Sequence, residues 1–201
     1  MKLNVTELHE PVLFVVDMIN GFAREGALAD PAIAGIAPKI SQLIETLPGE
    51  PVFITDEHDA DAREFEAFPV HCLKGTEESA VIDELQPYVR RRIGKNSTCT
   101  FVAPEFQRFL QENGDRFTDW ILAGCCTDIC ILQFALALQA YFNEHGSNNR
   151  VIVPADCTAT YHMDDVHNAA QWQKMALDIM DASGVLVCDG IEAAPAEGKR
   201  D

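Results

Sequence analysis

Six short apolar runs divide the chain, and the stretches between them repeat apolar residues at helical spacing. The runs are Pro11–Asp17 (PVLFVVD), Pro51–Asp56 (PVFITD), Tyr88–Gly94, Trp120–Ala123, Arg150–Pro154 and Val185–Cys188. They are continuous rather than alternating, which marks strands covered on both faces of a parallel sheet. Tyr88–Gly94 is the least apolar and is expected at an edge. Ile33, Ile36, Ile40, Leu43, Ile44 and Leu47 share one face of a helix over Ile33–Leu47. Shorter helices are expected at Ala80–Gln86 and Ala103–Glu112. Longer ones are expected at Asp128–His145 and Val166–Ser183, stopped by Gly146 and Gly184. Strand and helix alternate throughout. The pattern predicts a three-layer α/β/α domain around a six-stranded, mostly parallel sheet. No repeat, low-complexity stretch or linker interrupts it. One domain over 1–201 is expected, with its core at about 11–190 and a mobile tail at 191–201.

Composition narrows the function classes. A length of 201 residues with 47% apolar content suffices for one substantial core. The net charge of −17 argues against nucleic-acid binding, which needs a basic face. No apolar run approaches the length of a membrane span. The polar opening MKLNVTELHEP has no signal-peptide pattern, so a cytoplasmic protein is expected. In that setting seven cysteines imply reduced thiols rather than a disulfide framework.

Ligand sites of open α/β sheets lie outside the carboxyl ends of the strands. Four sets of reactive residues follow expected strands: Asp17, then Asp56 with His58, then Lys95, then Cys130. Cys130 falls in the first turn of an expected helix, where the helix dipole favours a thiolate. It is the candidate nucleophile, with Asp17 as its base and Lys95 as the stabilising cation. The turn Cys125–Cys126–Thr127 offers backbone N–H groups for oxyanion charge. Asp56, His58, Glu64 and His71 combine two imidazoles with two carboxylates, a donor set suited to Zn²⁺, Mn²⁺ or Fe²⁺. Asp128 is expected to cap the helix start by accepting from first-turn N–H groups. Asp156 is expected to order a loop. His9, His145, His162 and His167 are read as surface residues, and Phe22 and Phe68, taken alone, as core.

VVDMINGF around Asp17, the lysine at position 95 and GCCTDIC around Cys130 resemble the isochorismatase-like cysteine hydrolases. The resemblance runs from about Pro11 to Val187 and implies a six-stranded parallel sheet between helices. Within that superfamily the chain looks most like the nicotinamidase/pyrazinamidase branch. The resemblance implies a catalytic triad of Asp17, Lys95 and Cys130, with the backbone of Cys126 and Cys130 as oxyanion hole. It implies a cis peptide between Cys125 and Cys126. It assigns Asp56, His58, Glu64 and His71 to a divalent transition metal, and turns Phe22 and Phe68 into a sandwich for a pyridine ring. The implied reaction is metal-assisted hydrolysis of nicotinamide to nicotinate and ammonia through a thioester. The implied partners are a small amide and, as in relatives that often assemble, a possible homo-oligomer. Three departures bear on substrate: Thr98 stands where a pocket tyrosine is common, Cys126 where alanine is usual, and Val70 replaces a proline. They keep open a related amidohydrolase acting on another small amide or ureido compound. Isochorismatases proper lack the cysteine, so Cys130 argues against that reaction.

Overall fold

The computed structural model describes residues 1–194. Its strands are β1 (Leu3–Asn4), β2 (Pro11–Val16), β3 (Val52–Asp56), β4 (Arg91–Lys95), β5 (Asp119–Cys125), β6 (Arg150–Pro154), β7 (Thr158–Ala159), β8 (Leu186–Cys188) and β9 (Ile191–Glu192). Its helices are α1 (Asn20–Ala23), α2 (Ala37–Thr46), α3 (Pro104–Asn113), α4 (Leu132–Glu144) and α5 (Ala169–Ala182). The main sheet runs in the order β4-β3-β2-β5-β6-β8, and every pairing in it is parallel. All six apolar runs therefore lie in one sheet, with the arginine-rich β4 at an edge as expected.

The sheet has seven strands rather than six, because β7 pairs with the end of β5 through Gly124↔Thr158 and Cys125↔Ala159. Two residues are too few to show a hydrophobic period. A second small sheet joins β1 to β9. Ile191 and Glu192 are thus held in a strand, contrary to a mobile tail beginning at Ile191; 195–201 lie outside the described residues.

The helices depart from expectation where other groups claim their backbone. Ala80–Gln86 forms no α-helix: the Ala80 carbonyl accepts from Asn20 N, and Ile82 N donates to Met18 O. The segment is laced to the chain beyond β2, and its apolar residues Val81, Ile82 and Leu85 are buried there. The helix expected from Ile33 opens as a 3₁₀ turn at Pro31–Ile36, with Pro38 at the start of α2. The long helix expected from Asp128 opens as a π turn at Thr127–Ile131 before α4 begins. α5 begins after Asn168, whose side chain accepts from Gln171 N.

Alternate residues of β2 feed two cores, one on each face of the sheet. Leu13 and Val15 join Ile40, Leu43 and Phe53 on one side. Val12, Phe14 and Val16 join Phe106, Phe134 and Trp120 on the other. Phe14 stacks on Trp120 at 5.7 Å and 9°. Truncating such a buried ring to alanine costs about 3–5 kcal/mol. Among the described residues, no helix is long and apolar enough to cross a membrane.

Strand order places the site. From β2 the chain adds β3 and β4 on one side; from β5 it adds β6 and β8 on the other. The reversal lies between β2 and β5, where an open sheet forms a crevice. The ends of these two strands touch. Gly124 has φ +118°, and a Cβ there would lie 2.0 Å from the Val16 carbonyl oxygen. Only glycine permits both the left-handed backbone and that approach.

Candidate active site

Asp17 and Cys130 emerge from the two sides of this crevice, and β3 and β4 supply the remaining charges. Asp17 sits in the left-handed region at φ 53°, fully buried, its N–H donating to the Ile54 carbonyl at 2.9 Å. Parallel register sets Asp56 beside Lys95. The Lys95 ammonium bonds Asp56 Oδ1, lies 2.9 Å from Asp17 Oδ2 and 3.9 Å from Cys130 Sγ. Asp17 Oδ1 accepts from Asp56 N at 3.0 Å. Asp17 Oδ2 lacks a well-aligned hydrogen bond despite its short distance to Lys95, so it retains capacity for a proton. One oxygen each of Asp17 and Asp56 and the Cys130 sulfur lie mutually within 4.8 Å.

These contacts set the proton balance. Burial pushes the Asp17 carboxyl up to about 7, helped by Asp56 and opposed by Lys95. Burial also raises Asp56, but Lys95 and His58 outweigh it and hold that carboxyl below its usual range. Burial works against the Lys95 charge, yet Asp17 and Asp56 overcome it and keep the ammonium protonated. The Cys130 thiol is pushed well up by burial, against the pull of Lys95. This corrects the expectation of a thiol acidified by a helix start. The π turn buries Cys130 to 5% exposure, and desolvation of the thiolate outweighs the pull of Lys95. The resting pair is therefore a thiol beside a carboxylate that titrates near neutrality.

The Cys125–Cys126 peptide is cis, as the resemblance implied. Cys125 points into the core and donates its thiol to the Asp17 carbonyl at 3.0 Å. Cys126 lines the cavity above Cys130.

Three of the four expected metal ligands converge. Asp56 Oδ2 is 3.6 Å from His58 Nε2 and 4.0 Å from His71 Nε2. These separations are too long for hydrogen bonds. They match donors around one cation with bonds of about 2.0–2.2 Å. His58 Nε2 is buried with no hydrogen-bond partner among the described residues. The other ring nitrogens are engaged: His58 Nδ1 faces Asn96 Oδ1 at 3.3 Å, and His71 Nδ1 the Pro69 carbonyl at 2.8 Å. Such outer contacts aim the Nε2 lone pairs inward. Asp56, His58 and His71 thus fit a divalent metal. Glu64 stands to one side, Oε1 3.9 Å from His58 Nε2, while its Oε2 accepts from Thr98 N at 2.9 Å.

A chamber of about 40 Å³ lies over these groups, lined by Asp56, His71, Cys126, Cys130, Phe22 and Phe68. Phe22, Phe68, Leu28 and Ile129 also wall a neighbouring, outer chamber of about 190 Å³ that reaches Tyr161 and Met163. Phe22 is buried and Phe68 half-buried, with ring centroids 5.7 and 6.3 Å from that of His71. A larger cleft of about 370 Å³ lies between Val12, Val52 and Phe109, near the opposite strand ends, and holds none of these groups.

Two readings of the sequence fail here. Asp128 does not cap the turn through backbone N–H groups; it bonds the Thr160 hydroxyl and faces His167 Nε2 at 2.8 Å. His167 is accordingly buried, not a surface residue. Sequence reasoning also passed over Asn96, Tyr161 and Met163. Asn96 follows Lys95 directly, which was a usable signal; the other two carry none.

A family model described as the isochorismatase domain matches residues 11–189. The chain belongs to that family. It is 29% identical to Nicotinamidase 1 of Arabidopsis thaliana, over 74% of this chain and 66% of that relative, just under two thirds of its length. N-carbamoylsarcosine amidase of Thermoplasma acidophilum superposes with a TM-score of 0.69 at 27% identity, covering 94% of this chain and 100% of that one. The zinc complex of pyrazinamidase from Pyrococcus horikoshii gives 0.71 at 22% identity, covering 90% and 99%. The last likeness is one of fold.

Proposed function

We propose that the protein is a metal-assisted cysteine amidohydrolase that converts nicotinamide to nicotinate and ammonia. The observation carrying this reading is that one small chamber between Phe22 and Phe68 is lined by both Cys130 and the candidate metal ligands Asp56 and His71. Asp17, Lys95 and Cys130 are assigned to catalysis. Asp17 takes the thiol proton, and the Lys95 ammonium, 3.9 Å from the sulfur, offsets the new negative charge. The sulfur bonds the carboxamide carbon, and the backbone N–H groups of Cys126 and Cys130 hold the oxyanion. Asp17 returns its proton to the departing nitrogen, which leaves as ammonia. Asp17 then deprotonates a water that adds to the thioester carbon, and the cysteine sulfur leaves and is reprotonated. Phe22 and Phe68 hold the ring by stacking. Asp56, His58 and His71, with Glu64 beside them, would hold a Zn²⁺, Mn²⁺ or Fe²⁺ ion, which supplies Lewis-acid polarisation and a fixed point for the ring nitrogen.

A second reading is hydrolysis of another small amide or ureido compound. Thr98 and Cys126 in the chamber lining favour it, as does the likeness to N-carbamoylsarcosine amidase. Ammonia release from nicotinamide, with and without a chelator, and from N-carbamoyl amino acids separates the two. Nicotinamide turnover that the chelator abolishes supports the first reading. Turnover of N-carbamoyl amino acids alone overturns it.

A further inference from the structure

We infer that His167 is a positioning residue for Cys130, acting through Asp128; the inference rests on the reading of Cys130 as nucleophile. The π turn Thr127–Ile131 that presents Cys130 has no side-chain cap at its start, and its wide winding is closed by Ile131 N donating to the Cys126 carbonyl at 3.1 Å. Such turns are rare and occur mostly as local bulges at functional sites. This one is tied down from outside, by residues at the end of β7 and the beginning of α5. Thr127 Oγ1 donates to Gln173 at 2.7 Å. Asp128 takes the Thr160 hydroxyl on one oxygen and faces His167 with the other.

His167 is built for this task. Its ring lies between Tyr161, at 3.9 Å and 12°, and Trp172, at 4.9 Å and 10°. Its Nδ1 is 2.9 Å from the Tyr161 carbonyl and its Nε2 2.8 Å from the Asp128 carboxylate. Both partners are acceptors, so the two ring nitrogens fix the ring at both ends. Two aromatic faces stack on the same ring and hold its plane. Backbone bonds between Met163 and His167, 2.9 and 2.7 Å, close the loop that carries the ring. One ring thus links the turn that holds the sulfur to the Tyr161–Met163 wall of the outer chamber.

Losing His167 leaves Asp128, whose side chain is 6% exposed, without its imidazole partner. The turn is then free to rewind as ordinary helix. Each residue of such helix turns the chain by about 100°, which swings the sulfur off its 3.9 Å approach to Lys95.

The test compares wild type with Cys130→Ala, His167→Phe, His167→Gln and Thr160→Val on the metal-loaded protein. Ammonia release from nicotinamide is expressed per reactive Cys130, counted by mass spectrometry after iodoacetamide, and for Cys130→Ala against wild type per mole of folded protein. Phenylalanine keeps the stack and loses both polar contacts; glutamine keeps one donor toward Asp128; Thr160→Val removes one donor from the opposite oxygen. We expect kcat to fall at least tenfold in His167→Phe with KM within about twofold, and to recover severalfold in His167→Gln. Thr160→Val should fall about threefold, which carries the test if the phenylalanine variant does not fold. A merely structural role lowers the melting temperature and the count of active molecules but leaves kcat per reactive Cys130 at the wild-type value, and that result overturns the inference. Equal activity of wild type and Cys130→Ala overturns instead the nucleophile reading, and the inference with it.

Discussion

Replacing Lys95 by Met keeps the stem and removes the one cation among Asp17, Asp56 and Cys130. Lys95 is 2% exposed. At an effective dielectric constant near 20, its pairing with Asp17 at 2.9 Å is worth about 6 kcal/mol before desolvation. After the cost of burying the ammonium, removing one partner of such a pair typically loses about 3–5 kcal/mol. In a chain of this size about 2–4 °C accompany each kcal/mol, so the melting temperature should drop by about 6–20 °C. The activity signature is separate. A base works ionised, so the rate of the wild-type enzyme should rise with pH through the Asp17 ionisation at about 7. Lys95 opposes the rise of that carboxyl, so its loss moves the limb to higher pH. A shift of one unit, about 1.4 kcal/mol, lowers the ionised fraction at pH 7 roughly fivefold. Differential scanning calorimetry reads the first effect, and kcat/KM for ammonia release between pH 5.5 and 9 reads the second. A variant that melts within 2 °C of wild type and keeps the same pH profile would refute the coupling of these three groups.

Cys130→Ala should bind as much metal as wild type and lose turnover by at least a thousandfold; elemental analysis and ammonia release check this, and residual activity near wild type counts against covalent catalysis. His71→Ala removes one of three converging donors, so bound metal should fall by at least tenfold in dialysed protein. Phe68→Ala, at a half-buried position, should raise KM about tenfold with little change in melting. Phe14→Ala, fully buried against Trp120, should do the reverse, costing about 3–5 kcal/mol in urea denaturation.

Local pattern carried the reading of this chain far where the determinant is local. A strand covered on both faces must be apolar at every position, and PVLFVVD and PVFITD show this within a single window. Ligands gather at strand ends, so Asp17, Asp56, Lys95 and Cys130 could be singled out from their places after those runs. The fold brings these four together through parallel register and a reversal of strand order that the apolar segments do not by themselves specify. Tertiary structure alone decided the rest. Ala80–Gln86 has a helical pattern, yet its backbone bonds the Met18–Asn20 segment, some sixty residues earlier in sequence. The Asp128–His167 pair spans 39 residues, and no periodicity links its members. The Cys130 environment follows the same division. A helix start is visible in sequence and argues for an acidic thiol. Burial against the sheet is not visible, and it reverses the sign, because desolvation depends on everything packed around the sulfur rather than on its neighbours in the chain.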